Sequence, residues 1–434
     1  MASEKKLSLN SAIFINLNIM MGAGLFANTI LLSKQMEAAS IFIYPIIGIM
    51  MFPLIFTMSK LVERHPSGGF YSYAQPISSF WGFFSCWSYF IGKLASGSLT
   101  LYVASTILRN HIVVLQQFST LHISFSIITL FTILNLKNIQ IGAALQKIFF
   151  SAKSIPVLFV LLVGIFYFDS STIIASDFEF SSIPLAILIA IYCFTGFEGA
   201  CSLSRKIENP TINGPKAIFY SFATVIILYT VYQILLYGLL KAELHLLSDY
   251  TKTYPFLVTY LPFASTIQSK IALFLNSMIA ISALGGSYGV MYSNTWNLYT
   301  LAENKHVSFA ESFLKLNKHG IPYLIILLEA SIFFSFIYFT QGYQILLQQT
   351  TAFGVTIAYT ISVFAFLSQT AKERSIPLLA CLTCSGFIGA CVYSVIQQGV
   401  GSLQLFIYFM IFGILMFFYQ KNKFCSVRVR KFHV

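Results

Sequence analysis

Runs of about 20 consecutive apolar residues recur along the whole chain, and each could cross a hydrocarbon core roughly 30 Å thick as an α-helix. They predict an all-α membrane protein with about 12 transmembrane helices. We place the spans at residues 8–33, 40–60, 73–108, 122–137, 143–168, 183–204, 215–240, 269–300, 321–340, 346–368, 375–396 and 402–420.

Two of these spans carry glycines in the middle of the apolar run. Span one contains "NIMMGAGLFANT", with Gly22 and Gly24, and span six contains "YCFTGFEGACS", where Glu198 lies between Gly196 and Gly199. Span six comes five spans after span one, and because five is odd the two spans enter the membrane from opposite sides. This arrangement predicts an inverted five-plus-five repeat whose broken helices build a binding site. Alternatively, the glycines only allow close helix packing.

The same pattern divides the chain into a single transporter domain at residues 1–420 and a basic tail at 421–434. Within the domain we expect repeats at about 8–168 and 183–368, followed by two extra helices at 375–420.

Composition and charge agree with a chain embedded in lipid. Hydrophobic residues make up 57% of the 434 and charged residues only 9%, which excludes an ordinary soluble globule. The net charge of +12 does not indicate nucleic-acid binding, because most Lys and Arg fall in loops on one side of the spans. This bias predicts a multi-pass protein of the inner or plasma membrane with both termini cytoplasmic and the basic tail against anionic lipid. We expect the first apolar segment to remain as span one, since it lacks a convincing signal-peptide cleavage site.

Four motifs resemble those of the amino acid–polyamine–organocation (APC) superfamily of transporters. "MGAGLF" (21–26) is similar to its Gly-x-Gly break in span one, and "FTGFEGACSLSRKIENPTINGPKAI" (194–218) to its span-six signature. "HPSGGFYSY" (65–73) and "LKLNKHGIP" (314–322) are similar to its loops before spans three and nine. The resemblance implies a LeuT-like fold and secondary transport of amino acids or related amines by alternating access.

The resemblance also implies where the substrate binds. The α-carboxylate would lie at backbone N–H groups around Gly22 to Leu25 and the α-amine at carbonyls near Phe194 to Gly196, with aromatic residues of span six as a gate. Broken helices suit a zwitterion, because their inner ends offer N–H groups to an anion and carbonyls to a cation. The substrate-binding candidates are Met21, Gly22, Ala23, Gly24, Leu25, Phe194, Thr195, Gly196, Tyr192, Lys93 and Tyr89.

Two charged residues within spans are candidates for coupling or gating. Glu198 costs about 2.5 to 3.5 kcal/mol at a helix centre on insertion scales, so some interaction must offset it. It is either protonated in part of the cycle or a static carboxylate that accepts hydrogen bonds from the broken backbone. Lys153, in "FSAKSIPVLF", resembles the lysine that several sodium-independent family members place in the position of a sodium ion. There it would bridge span five to the span-one break; otherwise it snorkels to the interface.

Lys93, in "YFIGKLASGS", is far from both ends of span three. Facing the pocket, it would repel cationic side chains and favour acidic or neutral ones. The competing interpretation is an internal ion pair with Glu198 or Glu329. In span eight, Ser282, Gly285, Gly286 and Tyr288 either line the pathway or only pack, and the segment at about 241–268 is either an outer gate loop or a connector.

These features favour a sodium-independent, proton-coupled amino acid permease. An amino acid or amine exchanger and a non-transporting sensor of the same fold are the alternatives. We expect no enzyme, because the seven histidines lie in loops or at span ends, and no channel, because no filter motif is present. No cofactor and no metal is expected, since Cys381 and Cys384 of "CLTC" lack further soft ligands nearby. The expected partners are the substrate, protons and membrane lipids.

Overall fold

The structure is a computed structural model, and it describes residues 6–22, 24–137, 139–174, 183–240, 244, 247, 250–370 and 374–431. Within these residues the chain is almost entirely helical and has no β-strand. The helices are α1 Leu9–Met20, α2 Gly24–Met36, α3 Ile43–Arg64, α4 Gly69–Ala74, α5 Ser79–His111, α6 Thr120–Asn135, α7 Ile139–Tyr167, α8 Ser171–Ile174, α9 Ile183–Phe194, α10 Gly199–Ser202, α11 Pro210–Leu240, α12 Thr253–Leu257, α13 Ser265–Glu303, α14 Ala310–Phe313, α15 Tyr323–Thr340, α16 Gln344–Gln369, α17 Ser375–Gln398 and α18 Gln404–Lys431.

Every predicted span falls on one of these helices or on a pair of them. Among the described residues, nine helices are long and apolar enough to cross a membrane, and the bent pair α1 and α2 makes a tenth span. The shorter helix α6 and the interrupted pair α9 and α10 account for the other two predicted spans. The prediction of an all-α membrane protein is therefore confirmed.

Two span boundaries differ from the prediction by more than five residues. Span three was placed from residue 73, but α5 begins at Ser79, because Pro76 lies in a turn and the Ser78 hydroxyl caps the helix by accepting from the Trp81 N–H at 3.2 Å. Helix α18 continues to Lys431, so the predicted basic tail starts as an extension of the last helix.

The core of the bundle is built around α5, α13 and α16, which are the most buried of the long helices. Glycines on α13 let it approach α1 closely: a Cβ on Gly286 would lie 3.3 Å from both the Asn18 oxygen and the Gly22 Cα. We call the end of the bundle where α1 begins the N-terminal face and the end where α2 finishes the opposite face. Helices α17 and α18 are among the least buried of the membrane-spanning helices.

A candidate site at two facing helix breaks

The first break separates α1 from α2, whose axes differ by 49°. Helix α1 ends at Met20, and its last carbonyls have no further turn of helix to accept from. Side chains from three other helices satisfy them instead. The Tyr229 hydroxyl donates to the Met20 carbonyl at 2.9 Å, and the Ser282 hydroxyl donates to the Met21 carbonyl at 3.4 Å. Hydrogen-bond donors of the surrounding helices thus stabilise the break.

Lys153 of α7 supplies the third of these donors. Its ammonium is fully buried and donates to both the backbone carbonyl and the side-chain oxygen of Asn18, each at 3.1 Å. A cation at this position also opposes the negative end of the α1 dipole. Lys153 therefore does connect span five to the span-one break, while its part in coupling stays a prediction.

The second break lies between α9 and α10 and touches the first directly. Residues 195–198 form a turn in which Gly196 has φ +134°, a conformation that side-chain-bearing residues rarely adopt. A Cβ on Gly196 would lie 2.6 Å from the Met20 nitrogen, so the backbones of the two breaks are in direct contact. The Asn16 side chain of α1 then caps α10, accepting from the Ala200 N–H at 2.8 Å.

Glu198 connects this turn to α5. One carboxylate oxygen accepts from the backbone N–H of Gly196 at 2.7 Å. The other lies 3.1 Å from the Lys93 ammonium and 3.3 Å from the Tyr89 hydroxyl, and all three side chains are buried. Of the two interpretations of Lys93, the structure has the internal ion pair with Glu198. Glu198 also accepts a hydrogen bond from the unwound backbone, while its part in coupling stays a prediction.

A central cavity of about 80 Å³ opens at the first break. Gly22 and Gly24 line it, as do Ser96 and Thr100 of α5, which follow Lys93 by about one and two turns of helix. Thr195 of the second break also lines it. The Lys93–Glu198 pair thus lies beneath the cavity on the side of the N-terminal face.

The remaining predicted residues take different positions around this cavity. Met21 and Leu25 are buried beside it, whereas the Phe194 ring packs against Tyr44, Phe222 and Tyr229, none of which lines it. Ala23 and the side chain of Tyr192 lie outside the described residues.

Sequence reasoning missed several polar residues that line the cavity, namely Asn28, Ser96, Thr100, Gln344 and Gln348. A signal existed in the helical spacing. Ser96 and Thr100 follow Lys93 on one face of α5, and Gln344 and Gln348 are four residues apart at the start of α16.

Contacts at both ends of the bundle join segments that flank the breaks. At the N-terminal face, Leu7 exchanges backbone hydrogen bonds with Lys206 and Glu208, at 2.7 and 2.9 Å. Arg205 pairs with Glu303 of α13 at 2.8 Å, which ties the segment after α10 to α13. At the opposite face, the buried Tyr254 of α12 packs over Phe26 with a ring distance of 6.3 Å. This contact lies within the predicted gate-loop segment.

His306 follows the end of α13 and lies at the N-terminal face. Its ring packs against Phe83 and Phe417, and Nε2 is 2.9 Å from the Tyr71 hydroxyl. Burial lowers the pKa of His306 from 6.5 to about 4, so the imidazole is neutral near pH 7.

Of the predicted span-eight residues, Gly286 lines the central cavity, whereas Gly285 and Tyr288 pack against neighbouring helices. A Cβ on Gly285 would lie 2.5 Å from Phe149, and Tyr288 is buried against Phe131 at a ring distance of 5.1 Å. Ser282 differs, because its hydroxyl reaches the carbonyl at the first break.

A cavity lined by two broken helices inside a bundle of membrane-spanning helices defines a polytopic membrane protein of the carrier type. The sequence profile of the family described as "Amino acid permease" matches residues 7–422. The chain belongs to this family of permeases. Its membership is consistent with the predicted LeuT-like fold. The predicted membership of the APC superfamily is confirmed.

Individual relatives are distant. The chain is 24% identical over 254 residues to an arginine/ornithine antiporter of Pseudomonas aeruginosa, which covers 55% of this chain and 52% of the relative. It is 21% identical over 366 residues to a D-serine/D-alanine/glycine transporter of Escherichia coli, covering 80% of this chain and 74% of the relative. It is 22% identical over 396 residues to the serine/threonine exchanger SteT of Bacillus subtilis, covering 84% and 88%. The match thus spans about half the length of the first of these relatives and most of the other two.

Proposed function

We propose that this chain is a secondary active transporter that carries amino acids across the inner or plasma membrane by alternating access. Both termini would lie in the cytoplasm, which makes the N-terminal face the inner one. The inverted repeats would comprise about residues 8–168 and 183–368. The observation that carries this proposal is the contact of the two helix breaks, Gly196 against Met20, beside a cavity walled by Gly22 and Gly24. The family membership and the relatives named as amino acid transporters support it.

A zwitterion fits the groups that these breaks offer. The first N–H groups of α2, from Gly24 onward, lack helical partners and lie at the positive end of its dipole, as an α-carboxylate requires. The last carbonyls of α9, ending at Phe194, lie at a negative end and suit the ammonium. The cavity lies between the two termini, since both Gly24 and Thr195 line it.

We further propose that transport needs no sodium and is coupled to protons. The Lys153 ammonium donates hydrogen bonds to both Asn18 oxygens, which are the ligands that a sodium ion at the α1 terminus would use. Both recorded partners of Lys153 among the described residues are neutral oxygens, and a buried lysine of this kind is able to exchange its proton. Glu198 is the second candidate for proton exchange, because it lies at the second break.

Uptake into proteoliposomes tests both parts of the proposal. We expect labelled amino acid uptake to be equal in sodium and in choline buffer and to increase with an inward proton gradient. Lys153→Gln should abolish the response to the gradient. Lys147→Gln, at an exposed position on the same helix, should retain it. A strict sodium requirement in the wild type would refute the assignment of Lys153.

The names of two relatives, an antiporter and an exchanger, favour exchange as the second candidate mechanism. Counterflow separates the possibilities. An exchanger takes up label only when amino acid is present inside, a symporter also accumulates it in empty vesicles under a proton gradient, and a sensor binds without exchange.

A further inference from the structure

A second cavity of about 80 Å³, which we call the side pocket, adjoins the central cavity. It lies between α2, α9, α16 and α17. Most of its lining surface is apolar and comes from residues such as Ile189, Ile191, Val355 and Phe387, while Thr351, Thr356 and Tyr359 add polar groups. The side pocket and the central cavity share four lining residues, Asn28, Thr195, Gln344 and Gln348. The two cavities thus adjoin at these four side chains, and the central cavity has the larger polar share of surface.

Charge restricts what the side pocket can accept. Neither cavity has an acidic or basic residue among its described lining residues. Glu198, the acidic residue of the second break, is already paired with Lys93 at 3.1 Å. A charged side chain entering the side pocket would therefore be desolvated without a counter-ion, which is strongly unfavourable.

Size restricts the occupant further. An apolar cavity of roughly 150 Å³ accommodates a benzene ring. The side pocket, at about 80 Å³, has roughly half that volume. A branched or linear aliphatic group of three or four heavy atoms fits this space, whereas an aromatic ring exceeds it.

We infer that the side pocket holds the side chain of the transported substrate, and that the substrate class is the neutral amino acids with aliphatic side chains, such as valine, leucine, isoleucine and methionine. This inference rests on the proposed function. The amino and carboxylate groups remain in the central cavity at the helix breaks. Thr195, which lines both cavities, marks the point where the side chain enters the side pocket. The pocket uses α17, a helix outside the two predicted repeats.

Counterflow in proteoliposomes containing the full chain tests the substrate class. Vesicles preloaded with leucine, alanine, phenylalanine, arginine or glutamate are each assayed with the same labelled amino acid outside. We expect the fastest exchange with leucine, slower exchange with alanine and phenylalanine, and none with arginine or glutamate. Faster exchange of phenylalanine, arginine or glutamate than of leucine would overturn the inference but leave amino acid transport intact. No exchange of any amino acid would instead refute the proposed function.

Filling the side pocket tests its location. Cys391→Phe places a ring in the pocket, and Ala352→Phe does so from α16 in case the first variant fails to fold. Leucine exchange should fall about tenfold or more, because a buried aliphatic side chain contributes about 1.5 to 3 kcal/mol, while alanine exchange should stay within about twofold. Gly389→Phe, on an exposed part of α17 with no neighbouring atom within 4 Å, is the matched control and should behave as wild type. An equal loss of leucine and alanine exchange in both filled variants would show that the pocket holds something else, such as a lipid chain.

Discussion

Replacing Lys93 with methionine should destabilise the protein in a strongly pH-dependent manner. The substitution shortens the side chain by one heavy atom and removes the cation 3.1 Å from Glu198. Glu198 is completely buried, so its carboxylate would then lie in the middle of the bundle without a counter-charge. Removing one partner of a buried ion pair typically costs about 3 to 5 kcal/mol.

Protonation of Glu198 sets an upper limit on this cost. Neutralising an ordinary glutamate takes about 3.7 kcal/mol at pH 7 but only about 1 kcal/mol at pH 5. With an unfolding entropy of roughly 2.1 cal/mol/K per residue over 434 residues, these values correspond to Tm losses of roughly 4 °C and 1 °C. The Lys93→Met variant should therefore regain most of its stability as the pH falls.

Thermal unfolding in detergent at pH 5, 7 and 8 measures this effect. The double variant Lys93→Met, Glu198→Gln should recover most of the lost Tm at pH 8, because no charge remains buried. Lys60→Met is the control: its ion pair with Glu63 is partly exposed, and its loss should cost less than about 1 kcal/mol. If Lys93→Met lost the same Tm at every pH, or if the double variant were no better than the single one, the ion pair would not be the cause.

Further predictions concern the breaks and the N-terminal face. Gly196→Ala should reduce uptake at least tenfold, because a Cβ would lie 2.6 Å from the Met20 nitrogen in a backbone conformation that costs about 1 to 3 kcal/mol for other residues. Gly386→Ala, with no atom within 4 Å, should transport normally in the same assay, and equal activity of the two variants would contradict this reasoning. The pKa of His306 is about 4 in the folded protein and 6.5 for an unperturbed histidine, so its neutral state stabilises the protein fully above about pH 6.5 and progressively less as the pH falls to 4. His306→Phe should therefore have a Tm that falls less than that of the wild type over this range, and parallel curves would refute the assignment.

The helices were largely predictable because each span is a long apolar run whose boundaries are set by local signals. The start of α5 was misplaced because the apolar pattern continues through the Pro76 turn, and only the Ser78 cap marks the true beginning. Hydropathy alone does not register such a cap. The break between α9 and α10 was visible in advance, because Gly196 and Gly199 interrupt an otherwise continuous helix.

The site was predictable only where a residue was unusual for its position. A charge within a membrane span stands out, so Lys93, Lys153 and Glu198 could be selected from the sequence, and the Lys93–Glu198 pair was one of the stated alternatives. Asn28 and Gln348 could not be distinguished from other polar residues, because their importance depends on which helices meet at the cavity. The direction of the Phe194 ring depends on tertiary packing in the same way.

The sharing of hydrogen bonds between α1 and α10 has a mechanical consequence. Asn16 caps α10, and Leu7 is bonded to the segment that follows it, so the half-helices are joined at both ends. A force applied to either half-helix is therefore transmitted to the other without passing through the rest of the bundle. Distances between spin labels on the two should stay constant through the transport cycle, and any movement of the pair relative to α13 would have to break the Arg205–Glu303 ion pair. The pair would act as a single lever, pivoting where Gly196 lies against Met20.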